Sequence, residues 1–294
     1  MIKYSKEVAK AKSQGRPIVA LESTIISHGL PRPTNLLVAR EVEAIVRAEG
    51  ATPATIAIIG GEIFVGLEED QLVQIANDDN IVKASTRDLA IICANGTSAA
   101  TTVAATSHIA RLADIDVFAT GGLGGVHRGH LYDESADLIE LAKTKVIIVC
   151  AGVKSILDVA GTLERLETLA IPVLGYQTNN FPGFYLTDSG FTIEHRVENP
   201  EEISKIWGLR HGLNTDDTAI IVANPVANQM DKTFHDEILE AGLSAATQKK
   251  ITGKGVTPFL LEYFHTTSKG ESLRVNIEII KANSKLAAQI ACAL

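Results

Sequence analysis

The sequence predicts an α/β fold: a single domain over residues 1–294, with a central sheet flanked by helices on both faces. Three observations carry the prediction. Short aliphatic and β-branched runs, at residues 18–21, 55–59, 146–150, 171–175 and 218–223, mark strands buried on both faces. The longer segments between them repeat apolar residues at helical spacing. No internal repeat, low-complexity tract or evident linker divides the chain.

Taken in order, residues 3–13 read as a short amphipathic helix and 18–21 as a strand whose end presents Glu22. Gly29, Pro31 and Pro33 make 25–33 a loop. Thr34 can cap a helix through about residue 49, with Val38, Val42, Ile45 and Val46 on one face. The strand at 55–59 meets Gly60-Gly61, and 68–77 is a helix. Residues 81–92 bring together Lys83, Ser85, Arg87 and Asp88, which suit anion binding and equally a solvated strand edge. The small-residue stretch 95–113 starts a helix whose first N–H groups can face an anion, or whose surface can pack closely on another helix.

A strand at 116–120 leads into the glycine-rich loop GGLGGVHRGH at 121–130, whose spacing is not that of a dinucleotide fingerprint. Asp133 can cap a helix running from Leu138. Alternatively, Asp133, Glu134 and Asp137, three carboxylates in five residues, can hold a hard divalent ion, with His127 and His130 as weaker candidates. Residues 176–190 are aromatic and turn-rich, suited to a lid or a subunit contact. Helices are expected from residue 199, over 228–242, and from about 259 and 272, with a glycine-punctuated loop at 253–258. The last helix places Asn276 among apolar residues.

Composition narrows the class of function. A chain of 294 residues, 46% hydrophobic and 21% charged, can bury a sizeable core. A net charge of −8 leaves no basic face for a nucleic acid polymer, although a few local donors still suffice for a phosphate. The three cysteines are far apart and form no C-x-x-C pair, which points to a reducing cytoplasm. The first ten residues lack a signal-peptide core, and no apolar run approaches the roughly 20 residues that span a bilayer. A membrane partner is therefore not expected.

The stretch 145–158, KVIIVCAGVKSILD, holds the most suggestive residue. Lys154 sits where a buried strand ends and a helical pattern, read as starting at Ser155, begins. Ligands of open α/β sheets bind at the carboxyl ends of strands. Burial and a helix dipole would both favour the neutral, nucleophilic amine there. The competing reading is a lysine whose stem is buried and whose head reaches water.

These polar strand ends together resemble the pseudouridine-5'-phosphate glycosidase family, over roughly residues 15 to 292. The matching stretches are ALESTIISHGLP (20–31), KASTRDL (83–89), TTVAAT (101–106), FATGGLGGVHRG (118–129), SADL (135–138), CAGVKSILD (150–158), VTPFLL (256–261) and SLRVNI (272–277). The resemblance implies reversible cleavage of a carbon–carbon glycosidic bond, giving uracil and ribose 5-phosphate. It implies that Lys154 bonds to C1' of the sugar and that Glu22 is the proton donor. Lys83, Val103, Ser135, Ala136, Asp137 and Asn276 match substrate-binding positions, and Asp133 matches the acidic residue that holds Mn²⁺. It also implies a cytoplasmic homotrimer acting on a small molecule.

Three departures fall in loops: Arg32 between two prolines, Glu134 beside Asp133, and Ala227-Asn228-Gln229 after Asn224-Pro225. Two other classes share some of these groups. A Schiff-base aldolase or lyase acting on another ribose phosphate would need the same lysine but not uracil. A non-catalytic sugar-phosphate binder would leave Glu22 and Asp133 without a purpose.

Overall fold

Alternation of side chains decides the architecture. Val19, Leu21, Val117, Ala119, Ile147 and Val149 point to one face of a sheet and pack with Val42, Ile203 and Ile280. Their neighbours Ala20, Phe118, Ile148 and Cys150 point to the other face and pack with Ile109, Leu141 and Leu166. The central strands, Ile18–Glu22, Val117–Ala119 and Ile147–Cys150, therefore bury both faces, which only helices on both sides can provide. Each fully buried aliphatic side chain stabilises the fold by about 1.5–3 kcal/mol.

The computed structural model describes residues 2–128, 133–251 and 256–294. Its strands are β1 (Ile2–Tyr4), β2 (Ile18–Glu22), β3 (Thr52–Ile59), β4 (Glu62–Val65), β5 (Val82–Ala84), β6 (Ala99–Thr101), β7 (Val117–Ala119), β8 (Ile147–Cys150), β9 (Val173–Tyr176), β10 (His195–Val197) and β11 (Ile220–Ala223). Its helices are α1 (Lys6–Ser13), α2 (Thr34–Ala48), α3 (Glu69–Asn77), α4 (Leu89–Ala94), α5 (Val103–Leu112) and α6 (Ala136–Leu141). They continue with α7 (Val159–Thr168), α8 (Pro200–Gly212), α9 (Lys232–Gln248), α10 (Val256–Thr267) and α11 (Glu271–Ala293).

The strands form one sheet in the order β1-β4-β3-β2-β7-β8-β11-β9-β10, with β6 on β3 and β5 on β6. Every pairing is parallel except β3 with β4 and β3 with β6. The expected α/β fold is borne out. No helix among the described residues is long and apolar enough to cross a membrane. All three cysteines are free thiols.

Several local expectations need correction. The helix after Lys154 begins at Val159, not Ser155, because Asp158 is its cap and accepts the Gly161 N–H at 3.0 Å. Ile156 and Leu157, which look helical in sequence, are instead drawn into the core through a turn closed by Leu157 N–H on the Lys154 carbonyl. The helix after the glycine-rich loop is capped by Ser135, not Asp133. Thr34 is the first residue of α2, and the cap position is Pro33, which makes no side-chain cap bond. The expected loop at 25–33 contains a single π-helical turn, Ile25–Gly29. The strands β1 and β4 pair with each other at the sheet edge and were not legible. Of the expected loop at 253–258, residues 253–255 lie outside the described residues, and α10 starts at Val256.

Candidate active site

Three adjacent parallel strands, β2, β7 and β8, deliver their carboxyl ends to one place. In β2, Leu21 pairs with Ala119 of β7, so Thr120 stands beside Glu22, and its hydroxyl donates to Glu22 Oε1. Ser23 and Thr24 pin this end to β6: the Ser23 hydroxyl accepts the Thr101 N–H at 2.9 Å, and the Thr24 hydroxyl donates to the Thr101 carbonyl at 2.7 Å. The chain leaves β8 through Gly152, whose φ of +77° and whose closeness to the Pro182 carbonyl admit no side chain. Lys154 follows, its N–H donating to the Leu123 carbonyl at 3.2 Å. The glycine-rich segment thus runs alongside the lysine as a backbone support. Its Gly122 lies against the Phe184 ring, where a Cβ would come within 2.6 Å.

Glu22, Lys83, Lys154 and Asn276 line one cavity of about 580 Å³, together with His28 and Phe184. That volume suits a nucleotide-sized ligand. Lys83 enters from β5, next to the strand that feeds α5, and Asn276 enters from α11.

The electrostatics are those of crowded, partly desolvated charges. Burial pushes the Glu22 carboxyl above its ordinary value, and Asp137 adds to this, while Lys154, Thr120 and Lys83 oppose it. Burial and the Lys154 charge lower the Lys83 amine, against the pull of Glu22 and Asp137. Burial, then Lys83, lower the His28 imidazole. A carboxyl raised by burial beside amines is shifted in the direction that a general acid working near neutrality requires.

Val103, Asp133, Ser135, Ala136 and Asp137 do not line this cavity. Val103 is the first residue of α5, its side chain in the core. Asp137 is buried, with one oxygen accepting the Ala104 N–H at 3.0 Å and the other the Gly124 N–H at 2.9 Å. It therefore binds protein backbone, and its charge reaches Glu22 and Lys83 from behind the wall. Ser135 serves α6 as cap, and Ala136 is that helix's exposed first residue.

The three-carboxylate cluster read from the sequence does not assemble. Glu134 pairs with Arg165 at 2.8 Å, Asp137 is turned inward, and among the described residues no group of three His, Cys, Asp or Glu could hold a metal. Asp133 stands apart, one oxygen 3.1 Å from His127 Nδ1. A single carboxylate with one oxygen unpartnered among the described residues fits a hard ion that keeps most of its water, not an all-protein cage. His130 lies outside the described residues.

The departures in the loops find partners of their own. Arg32 donates to the Ala76 carbonyl at 3.0 Å and to Asp79 at 2.7 Å. Gln229 accepts the Thr187 N–H at 2.8 Å, and Asn228 donates its side-chain amide to Glu278 at 2.7 Å.

Sequence reasoning missed Thr120, His28 and Asn283. Thr120 needed the strand order, which sequence does not give. Asn283 was findable, seven residues beyond Asn276 and so on the same face of one helix.

Fold and site define an α/β enzyme that brings a carboxylic acid and two amines to the ends of parallel strands. The chain belongs to the pseudouridine-5'-phosphate glycosidase family: the model of that wider family, described as indigoidine synthase A like protein, matches residues 7–293. A pseudouridine-5'-phosphate glycosidase of Salinispora tropica is 53% identical over 298 residues, covering 99% of this chain and 91% of that protein. One from Caldanaerobacter subterraneus subsp. tengcongensis is 48% identical over 303 residues, covering 100% and 96%. Among solved structures, an indigoidine synthase A-like protein of Thermotoga maritima superposes with a TM-score of 0.90 at 36% identity, covering 99% of this chain and 96% of that one. The prealnumycin C-glycosynthase AlnA, solved in complex with ribulose 5-phosphate, superposes with a TM-score of 0.92 at 32% identity, covering 100% and 97%.

Proposed function

We propose that this enzyme reversibly cleaves pseudouridine 5'-phosphate to uracil and ribose 5-phosphate through an imine on Lys154. The observation that carries the reading is the convergence of Glu22, its carboxyl raised by burial, and Lys154 on one nucleotide-sized cavity. The names of the relatives, at about half identity over the whole chain, support it.

The chemistry follows from the bond to be broken. C5 of uracil is a poor carbanion, so cleavage needs a proton at C5 and an electron source at C1'. The Lys154 nitrogen bonds to C1' as the C1'–O4' bond opens, and the proton shed by that nitrogen passes to O4'. The nitrogen lone pair then forms C1'=N while the C1'–C5 electron pair takes a proton from Glu22. Water hydrolyses the imine, releasing ribose 5-phosphate and restoring Lys154, so one water is consumed per cleavage. Thr120 orients Glu22 by its hydroxyl.

Lys83 and the Val103 N–H at the start of α5 receive the 5'-phosphate, helix dipole and ammonium acting together. Ser135, Ala136 and Asp137 act on that end of the site from behind the cavity wall, by fixing the start of α5 and the glycine-rich loop, and Asn276 reads the edge of the base. Asp133 would hold the Mn²⁺, which when bound would polarise nearby oxygens. Residues 1–294 act as one domain, in a cytoplasmic homotrimer.

Two measurements test the reading. Wild type should release uracil from pseudouridine 5'-phosphate, and Lys154→Ala should not. Borohydride with ribose 5-phosphate should label the Lys154 peptide. Labelling elsewhere, or turnover by the variant, would sink the lysine mechanism. Ribose phosphate trapped without any dependence on uracil in the synthetic direction would point to an aldolase.

A further inference from the structure

We propose that Asn283 is a positioning residue for Glu22, acting through Thr120. Asn283 lies on α11, only 1% exposed, and does not line the cavity. Its Nδ2 donates to the Thr120 carbonyl at 2.8 Å and lies 3.4 Å from that of Gly121. Its Oδ1 accepts from Asn224 Nδ2 at 3.0 Å, and the Asn224 N–H donates to the Cys150 carbonyl at 2.8 Å. The two asparagine side chains therefore tie the carboxyl ends of β7 and β11 to one helix, and the Asn224 backbone N–H joins β8 to them.

The consequence runs along covalent geometry. Thr120 is β-branched, so its hydroxyl direction follows its backbone with little freedom. Its N–H is held by the Val149 carbonyl at 3.0 Å, but on its carboxyl side the chain passes straight into Gly121-Gly122. The Gly121 carbonyl accepts the Ala151 N–H at 2.9 Å, so the ladder holds the chain on either side of the Thr120–Gly121 peptide, and Asn283 holds that peptide's own carbonyl against the rotation that the glycines permit. With that peptide fixed, the Thr120 hydroxyl proton goes to Glu22 Oε1, which leaves Oε2 to carry the proton used in the reaction. Asn283 is thus a side chain outside the cavity that decides which oxygen of the acid works.

The groups facing Glu22 are Lys154, Lys83 and Asp137, and His28, Glu262 and His265 are the other titratable residues of the cavity wall. None of them is moved by replacing Asn283 with an uncharged residue. A hydroxyl donor favours the ionised carboxylate, so losing it raises the Glu22 pKa further. Because the donor step uses protonated Glu22, the alkaline limb of uracil release must then move to higher pH.

The proposal rests on Glu22 as proton donor, so its test includes a reading that needs no turnover. The Glu22 carboxyl is titrated by isotope-edited infrared spectroscopy, with Glu22→Gln as the blank, in wild type, Asn283→Leu, Thr120→Val and the double variant. Asn283→Ser, which admits water, replaces the leucine variant if that does not fold. Both single variants should shift the titration upward, and the double variant should shift no further than Thr120→Val. Uracil release by the Asn283 variant should fall about 10- to 100-fold, the scale of a small misplacement of a reacting group. An unmoved carboxyl in the folded Asn283 variant, or the same extra shift in the Thr120→Val background, overturns the coupling. A wild type that releases no uracil overturns the glycosidase reading, and with it the positioning role given to Asn283.

Discussion

Asp137 accepts the Ala104 N–H at 3.0 Å and so occupies part of the first turn of α5, the turn that the sequence offers to a phosphate. Its second oxygen holds Gly124, so one buried carboxylate joins α5 to the glycine-rich loop. Asp137→Ala should leave the buried Ala104 N–H and the half-buried Gly124 N–H without their acceptor and destabilise the protein by about 1–3 kcal/mol. Asp137→Asn should cost less, because its amide oxygen keeps one bond. Denaturant midpoints at equal slope would measure both, and equal midpoints for wild type and Asp137→Ala would refute the clamp.

Glu22 makes a prediction whose sign runs against intuition. Its carboxyl titrates higher in the folded protein than in the unfolded chain, mainly through burial. The folded state therefore holds the proton more tightly, and stability is lost as pH rises from the unfolded value through the raised one. Glu22→Gln should remove turnover by about 100-fold or more while raising the melting temperature at pH 8. The gap in melting temperature should close towards pH 4.

Lys83 is expected to lose its charge at lower pH than a free lysine, since burial and Lys154 both lower it. Affinity for ribose 5-phosphate should then fall as pH rises through that lowered value. Lys83→Met should weaken binding about 10- to 100-fold, the worth of a charge-assisted hydrogen bond, and should flatten the pH dependence. Calorimetric titration at two pH values reads both effects.

Asp133 is the sole anchor proposed for the metal. Asp133→Ala should weaken Mn²⁺ binding at least about tenfold, and His127→Ala should weaken it less, because the imidazole touches only the other oxygen. Paramagnetic resonance of free Mn²⁺ measures this without any assay. Unchanged binding in Asp133→Ala would place the ion elsewhere.

How much of this was legible depends on range. Glu22, Lys83, Lys154 and Asn276 stand out in sequence as polar residues at the ends of apolar runs or inside one, and the fold brings them to a single cavity. The strand bearing Lys154 was legible because its apolar run is unbroken. The helix start was not, because Ile156 and Leu157 satisfy helical spacing while packing as a turn. The acidic cluster misled for a related reason: proximity in sequence says nothing of direction. Glu134 faces Arg165 while Asp137 faces the backbone of α5. Thr120 could be placed beside Glu22 only once β2 and β7 were known to be neighbours.

The bond between Asn283 and Thr120 joins residues 163 positions apart. Such a contact carries a large loop-closure cost, because the intervening chain must be folded or looped before it forms. During synthesis, β2, β7 and β8 all emerge before α11, the helix whose Ile280 and Ala287 cover their outward face. Until then Val19, Val117 and Ile147 would be covered only in part, by α2 and α8, leaving apolar surface that chaperones can bind. The same helix would therefore end the aggregation-prone stage and complete the acid's alignment in one event, leaving no long-lived species with a covered sheet and an unaligned acid.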